Sequence, residues 1–192
     1  MKQDSLFAKL TKLCALLGCL LCVLFSVLYH FFTTDLFLSL AITAGTTGYH
    51  FTMRLAVGWL VTITIRKPLN PDGFWFRQRS FERSLYHTLR VRRWKGKMPT
   101  YNPDEFSLEQ NTPEQIIQNS CRAELVHEWI ICASFLPLLA SILWGAFPVF
   151  LITSILAAGL DSCFVIMQRY NRPRLQKFQK HRKITTDRRQ RS

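Results

Sequence analysis

One stretch of the sequence, residues 13 to 32, contains no Asp, Glu, Lys or Arg. The hydrocarbon core of a lipid bilayer is about 30 Å thick, and a helix needs about 20 predominantly apolar residues to cross it. The stretch is long enough to meet that requirement. It therefore predicts a membrane-spanning helix, and the rest of the chain must fold in a way that is compatible with one.

Three further apolar runs follow it. Residues 36 to 65 carry Arg54 as their only formal charge. This run is too long for one upright span, so either it tilts or its last turns, from Trp59 to Ile65, lie in the membrane interface. The other two runs cover residues 125 to 147 and 149 to 167.

The predicted fold is all-α, a polytopic membrane protein with about four transmembrane helices and additional interfacial helices. The spans are placed at residues 13–32, 36–60, 125–147 and 149–167, with an interfacial cytoplasmic loop over 66–124. In this interpretation residues 1–176 form a single membrane domain, and residues 177–192 form a basic cytoplasmic tail.

The charge of the chain supports the same class. Lys and Arg number 25 against 12 Asp and Glu, a net charge of +13, yet the mean hydropathy is slightly positive at +0.07. A basic nucleic-acid-binding protein would be polar throughout, whereas here apolar runs alternate with basic blocks. We therefore expect membrane lipids, and no nucleic acid, among the partners.

The placement of the basic residues predicts the orientation. Three precede the first span, 11 lie from Arg66 to Arg122 and 10 from Arg169 to Arg191, which with Arg54 accounts for all 25. The short connections near residues 33–35 and 145–148 hold none. Because cytoplasmic loops are enriched in Lys and Arg, we expect a multi-pass cell-membrane protein with both termini in the cytoplasm. The first apolar stretch is longer than a usual signal-peptide core and lacks a clear cleavage site, which favours an uncleaved anchor.

The central loop is rich in aromatic and basic residues, as in GFWFRQRSFERSLYHTLRVRRWKGKMP at 73–99. This mixture suits the headgroup boundary of a membrane. The dipeptides Asn102-Pro103 and Thr112-Pro113 are typical helix starts, and Gln115 completes a capping box with Thr112. A helix from Thr112 would run into the third span and bring four polar residues to the cytoplasmic edge: Arg122, Glu124, His127 and Glu128.

A second polar cluster, residues 168 to 175, ends the fourth span. Arg172 precedes Pro173 and is biased away from helical backbone, so the chain is expected to turn there. The predicted topology places both clusters at the same depth on the same face of the bilayer. Together they predict an interfacial site.

Four segments carry a resemblance to a known family. They are RAELVH at 122–127, QRYNRPRL at 168–175, FRQRSFE at 76–82 and VRRWKGKMP at 91–99. The chain resembles, over about residues 75 to 177, the glycosyl-4,4'-diaponeurosporenoate acyltransferase family. Its members are membrane proteins that esterify the sugar of a glycosylated C30 carotenoid.

The resemblance implies a catalytic group and its supporting residues. A sugar hydroxyl is a poor nucleophile until a base removes its proton, and His127 is the predicted base. Glu124, three residues earlier on the same helical face, would orient the imidazole or stabilise its charged form. Fixed donors must stabilise the oxyanion, for which the candidates are Asn171, Arg169 and Arg122.

The resemblance also implies two substrates, a lipid-linked sugar acceptor from the leaflet and an acyl donor from the cytosol. An acyl-CoA donor would need cations for its phosphates, supplied by Arg172, Arg174, Arg92, Arg93 and Lys95. Tyr170 and Trp94 complete the predicted substrate-binding set as rings at the headgroup level. We expect no bound cofactor or metal. We do expect association with other enzymes of the pathway.

Charged residues inside spans are costly, and they usually pair or face a cavity. Helical rise places Arg54 about 18 Å before Arg66 and Asp161 about 12 Å before Arg169. These depths are compatible, so we predict an Arg54–Asp161 pair between the second and fourth spans, with His50 one turn from Arg54 on the same face. The alternative is that the pair lines the acceptor site.

Each assignment has a plainer alternative. His127 and Glu124 also suit the polar end of a membrane helix, and the arginines of 169–174 suit a positive-inside anchor. The protein would then be a non-catalytic membrane scaffold or lipid-binding subunit. A small transporter is a third possibility, supported only by Arg54 and Asp161. The chain contains no Walker loop, dinucleotide fingerprint or Gly-x-Ser-x-Gly elbow.

Overall fold

The computed structural model describes residues 5–191, with side chains through residue 182 and at residues 184 and 185. The described part of the chain is all-α, as the sequence predicts, and contains no strand. The α-helices are α1 (Leu6–Phe32), α2 (Asp35–Thr64), α3 (Glu82–Thr88), α4 (Val91–Trp94), α5 (Pro113–Ala133), α6 (Ser141–Trp144) and α7 (Phe147–Arg191). Short 3-10 turns cover Lys95–Lys97, Pro103–Phe106 and Leu136–Ala140.

Helices α1 and α2 form an antiparallel hairpin that contains the first two predicted spans. The turn is closed by Thr33, which adopts a left-handed backbone with φ of 47° and donates its N–H to the Tyr29 carbonyl. Two glycines let the helices touch: a Cβ on Gly18 would lie 2.5 Å from the Gly48 Cα. Because glycine has no side chain, the backbones of α1 and α2 can approach closely at this crossing.

Helices α5 and α7 form the second hairpin. The predicted capping box starts α5, because the Thr112 side chain accepts from the Gln115 N–H and the Gln115 side chain accepts from the Thr112 N–H. The third predicted span, 125–147, is not one continuous helix. Regular α-helix ends at Ala133, and the chain continues through the 3-10 turn that contains Pro137.

Three described helical segments are long and apolar enough to cross a membrane: Leu6–Phe32, Pro113–Trp144 and Phe147–Arg182. Helix α2 is long enough but less apolar, because its middle carries Thr46, Thr47, Tyr49 and His50. Polar side chains lower the hydropathy of a helix without shortening it. The membrane architecture is confirmed, and the count of four spans is approximate.

The turn predicted at Arg172-Pro173 is wrong, because α7 continues through Pro173. Proline removes one backbone hydrogen bond and disfavours a helical residue before it. Here the side chains of Arg169 and Arg172 are held by contacts with α5 and with the central segment. Those contacts hold this part of the chain helical where local preference alone would end the helix.

The central segment packs against one end of both hairpins. Tyr86 of α3, Val91 of α4 and Tyr170 of α7 form a small buried cluster. The start of α1 lies at the same end, where the Ser5 hydroxyl donates to the Tyr101 carbonyl over 2.7 Å. We call this end of the bundle, which carries residues 66–112, the basic end.

Candidate functional site

The two polar clusters predicted to meet do meet, through an ion network at the basic end. Arg169 donates to Glu124 over 2.6 Å and to Glu82 over 2.6 Å. Arg172 donates to the second oxygen of Glu124 and to the Phe76 carbonyl. The network thus joins α7 to α5 and to the central segment.

Apart from Arg169, whose side chain is 17% exposed, this network is almost fully buried. Glu124 is 0% exposed, Arg172 1% and Glu82 3%. Buried charges are tolerated only when they are paired and hydrogen-bonded, and removing one partner of such a pair typically costs about 3–5 kcal/mol. The network is therefore a structural clamp that holds α5, α7 and the central segment together.

Glu82 is held ionised by this clamp. Burial alone would raise the pKa of its carboxyl, but hydrogen bonds from Arg169, from the Tyr86 hydroxyl and from the Arg79 N–H lower it overall. Burial and the neighbouring carboxylate raise the pKa of the Tyr86 hydroxyl, which donates to Glu82 over 2.6 Å. Tyr86 therefore stays protonated at neutral pH.

His127 lies one turn deeper in the bundle and does not pair with Glu124. Its Nδ1 lies 2.8 Å from an oxygen of Asp161 on α7, and its ring stacks on Phe164 at 4.6 Å between centroids. Glu124 is unavailable because both of its oxygens are bound to arginines. The expected orienting contact is thus corrected: Asp161 takes the position predicted for Glu124.

The predicted Arg54–Asp161 pair is confirmed, with 2.5 Å between Nη2 and the carboxylate oxygen. The Asp161 side chain is 1% exposed. Arg54 also donates to the backbone carbonyl of His50, the residue predicted to lie one turn from it on the same face. Neither ring nitrogen of the buried His50 has a hydrogen-bond partner among the described residues. Asp161 thus has two partners: Oδ2 accepts from Arg54, and Oδ1 contacts His127.

The His127–Asp161 pair has the geometry of an oriented base. A carboxylate on Nδ1 selects the tautomer that is protonated there and leaves Nε2 with its lone pair. Within the described part of the chain Nε2 has no hydrogen-bond partner, and the His127 side chain is 21% exposed. The pair can therefore accept a proton from a hydroxyl group that reaches Nε2.

Asn171 is not part of this cluster. Helical rise places it about 15 Å beyond Asp161 along α7, and its side-chain oxygen accepts from Lys95 over 2.7 Å. Arg122 differs from the other predicted oxyanion donors, because its Nε is buried without a hydrogen-bond partner in the described structure. Arg169 has its donors occupied by Glu82, Glu124 and two backbone carbonyls.

Two cavities open at the basic end. An apolar cavity of about 370 Å³ lies between the central segment, α5 and α7, and its walls include Phe74, Trp75, Leu85 and Ile166. Trp75 donates to Glu128, which lines the same cavity, over 2.8 Å. A second, basic cavity of about 840 Å³ lies beside it, and Tyr86 lines both.

Some of the predicted substrate-binding residues line this second cavity, and others pack against neighbouring side chains. Arg93, Arg174 and Tyr170 line the basic cavity, as does Arg92. Arg174 lies over the Tyr170 ring at 3.6 Å from its centroid, and Lys95 lies over it at 5.0 Å. Trp94 packs against the Tyr86 cluster and donates to the Leu89 carbonyl.

Sequence reasoning missed two features of the site. Asp161 was matched with Arg54 by depth, but no local spacing indicated that His127 would reach its other oxygen. Glu82 lies in a segment that the sequence marks as basic and interfacial, and nothing near it in the chain indicates an ion pair with Arg169, 87 residues away.

Together the fold and the buried ion pairs define a helical membrane protein with a polar interior at one end. The profile of the glycosyl-4,4'-diaponeurosporenoate acyltransferase family matches residues 72–181. The chain belongs to that family, whose name denotes acyl transfer in the modification of a carotenoid glycoside. No curated protein and no solved structure matches the chain significantly. The family match includes His127 and Asp161 and leaves out α1 and α2.

Proposed function

We propose that this protein transfers a fatty acyl group to a sugar hydroxyl of a glycosylated carotenoid or similar glycolipid, at the cytoplasmic face of the cell membrane. The observation that supports this most is the contact between His127 and Asp161. It provides an oriented base in a family of acyltransferases.

In the proposed mechanism, the acceptor hydroxyl attacks the carbonyl carbon of the acyl donor while His127 Nε2 takes its proton. Asp161 stabilises the imidazolium that forms, and Arg54 fixes the carboxylate. The tetrahedral intermediate then collapses, the donor's leaving group departs, and His127 returns the proton to it. The products are the acylated sugar and the free carrier.

We assign the oxyanion donor to Arg122, whose Nε is buried without a partner among the described residues. Asn171 and Arg169 become positioning residues in this proposal. Asn171 lies about 15 Å from Asp161 along α7, and the donors of Arg169 are bound to Glu82, Glu124 and backbone carbonyls. A fixed donor aimed at a developing oxyanion typically contributes about 10²–10³ in rate.

The acceptor would enter from the membrane. His127 and Arg54 are the partly exposed members of the intramembrane cluster, with side chains 21% and 16% exposed. A lipid-linked sugar can place its head beside them while its apolar part stays in the leaflet. Membrane lipids and other enzymes of the pathway are further proposed partners.

The test is the substitution His127→Asn, which keeps a donor for Asp161 but removes the base. Purified full-length protein in lipid nanodiscs is given glycosyl-4,4'-diaponeurosporenoate and an acyl-CoA, and ester formation is followed by mass spectrometry. We expect a rate at least about 10²-fold lower than that of the wild type, with unchanged insertion and elution volume.

His30→Asn serves as the matched control, because this exposed histidine lies at the far end of α1. We expect it to retain the wild-type rate. Full ester formation by His127→Asn would refute the proposed base. A wild-type protein that forms no ester with any acyl donor would leave the scaffold interpretation in place.

A further inference from the structure

The basic cavity concentrates positive charge without a counterion. Six cations line it: Arg83, Arg90, Arg92, Arg93, Arg174 and Lys177. His87 lines it too, and no Asp or Glu is among the described residues of its wall. All six residues are exposed to solvent, and they surround one open concavity of about 840 Å³.

Lys95 is repelled by these cations, and Arg90 has an unusual backbone conformation. Burial, with Arg174 and Arg92 nearby, lowers the pKa of the adjacent Lys95 ammonium. Arg90 adopts a left-handed backbone with φ of 49°, a conformation that favours glycine over any residue with a side chain. A ligand that carries several negative charges would relieve the repulsion between the cations.

The position of the cavity restricts what that ligand is. Arg174 lies 13 residues beyond Asp161 on the same helix, so helical rise separates the two by about 20 Å. In a phospholipid, the phosphate and the acyl carbonyl are only a few bonds apart. A donor that reaches both the basic cavity and His127 needs a long arm between its phosphates and its carbonyl.

The apolar cavity lies along that path. Its wall includes Ile166 and Arg169, which fall between Asp161 and Tyr170 on α7. Tyr86 separates it from the basic cavity and lines both. The two cavities thus form a polar compartment and an apolar compartment that meet at one ring.

We propose that the basic cavity binds the phosphate groups of a coenzyme A thioester, whose pantetheine arm passes Tyr86 and follows the apolar cavity towards His127. This inference rests on the proposed function and names the donor class. The thioester C–S bond breaks as the C–O ester bond forms. The proton from the sugar hydroxyl passes through His127 to the leaving thiolate, which departs as coenzyme A.

The test compares two double substitutions that each remove two positive charges. Arg90→Gly with Arg93→Gln alters the cavity, and glycine suits the left-handed backbone at residue 90, so folding is preserved. Arg66→Gln with Lys67→Gln is the control, because both residues are exposed and neither lines the cavity. All proteins are full-length and held in phosphatidylcholine nanodiscs.

Coenzyme A and pantetheine, which lacks the phosphates, are titrated by calorimetry. We expect the wild type to bind coenzyme A at least tenfold more tightly than pantetheine. The cavity variant should lose at least tenfold in coenzyme A affinity and show a raised KM for the acyl-CoA with kcat within about threefold. The control variant should stay within twofold of the wild type.

Wild-type coenzyme A binding by the cavity variant would overturn the inference while leaving the proposed function intact. If phosphatidylglycerol nanodiscs abolish coenzyme A binding and the lipid itself donates its acyl chain, the donor is a phospholipid and the inference is wrong. If coenzyme A binds through the cavity but no sugar is ever acylated, the phosphate site stands and the proposed function fails.

Discussion

Asp161 shows how one buried residue acquires two partners. One of its oxygens binds Arg54 from α2 and the other binds His127 from α5. The carboxylate is 1% exposed and needs both partners to offset its lost hydration. Exchange of Arg54 and Asp161 would therefore restore the charge pair but not the contact with His127.

Glu82 gives a prediction about pH. The folded protein lowers the pKa of this carboxyl below its ordinary value of 4.5. Its contribution to stability is therefore complete above pH 4.5 and is lost as the pH falls through the lower, folded-state pKa. Glu82→Gln keeps a hydrogen-bond acceptor and leaves Arg169 paired with Glu124, so it costs less than the loss of a sole partner. It should reduce the free energy of unfolding by about 1–3 kcal/mol near neutral pH, and this difference from the wild type should shrink in acid.

Unfolding midpoints of the two proteins in detergent, measured from pH 7 down to about pH 3, check this linkage. Glu109→Gln, at an exposed residue, should match the wild type at every pH. A difference between Glu82→Gln and the wild type that stays constant across the acid range would contradict the assignment of the charge to Glu82.

At the scale of elements, local signals predict one feature correctly and fail at another. The start of α5 was predictable because the cap of Thr112 depends on residues within one turn. The bend at Pro173 was predicted from equally local rules and failed, because distant partners of Arg169 and Arg172 keep α7 helical. A sequence motif reports local preference, and the tertiary ion network overrides it here.

The α1–α2 hairpin gives a second prediction, because Gly18 and Gly58 should respond in opposite ways to alanine. A Cβ at Gly18 collides with the Gly48 backbone, so Gly18→Ala should destabilise the hairpin by about 1–3 kcal/mol. Nothing lies within 4 Å of a Cβ at Gly58. Gly58→Ala should therefore stabilise the helix by up to about 1 kcal/mol.

Unfolding of each glycine variant by titration with a denaturing detergent measures both effects. Equal changes in the two variants would show that the substitutions act through helix propensity alone, and that the close approach of α1 and α2 contributes nothing.

At the scale of the whole molecule, charge segregation was enough to predict the class of the protein. The predicted topology placed the two polar clusters together at the basic end, and the structure confirms that they meet. The family resemblance added the chemistry expected of them. The two cavities were not predictable, because their walls combine side chains of α3, α4 and α7 that only the folded chain brings together. The sequence shows which residues are cationic, but it does not show which of them line the same concave surface.

The distribution of basic residues also predicts topology in the cell. Eleven Lys and Arg lie from Arg66 to Arg122, and none lies in the connections near residues 34 and 146. Alkaline phosphatase fused after residue 34 or 146 should be active, because it folds only outside the cytoplasm. The same fusion after residue 110 or 182 should be inactive, while green fluorescent protein at those two positions should fluoresce. The reverse pattern would place the basic end outside the cell.

The pairing of Glu82 with Arg169 imposes an order on biosynthesis, since the two residues are 87 positions apart. Ribosomes add about 5–20 residues per second, so the carboxylate is translated roughly 4 to 17 s before its arginine. During that interval Glu82 has no arginine partner from α7, and neither cavity has the wall that α7 supplies. Helix α7 therefore completes the ion network and the walls of both cavities, and a chain truncated before residue 147 lacks both.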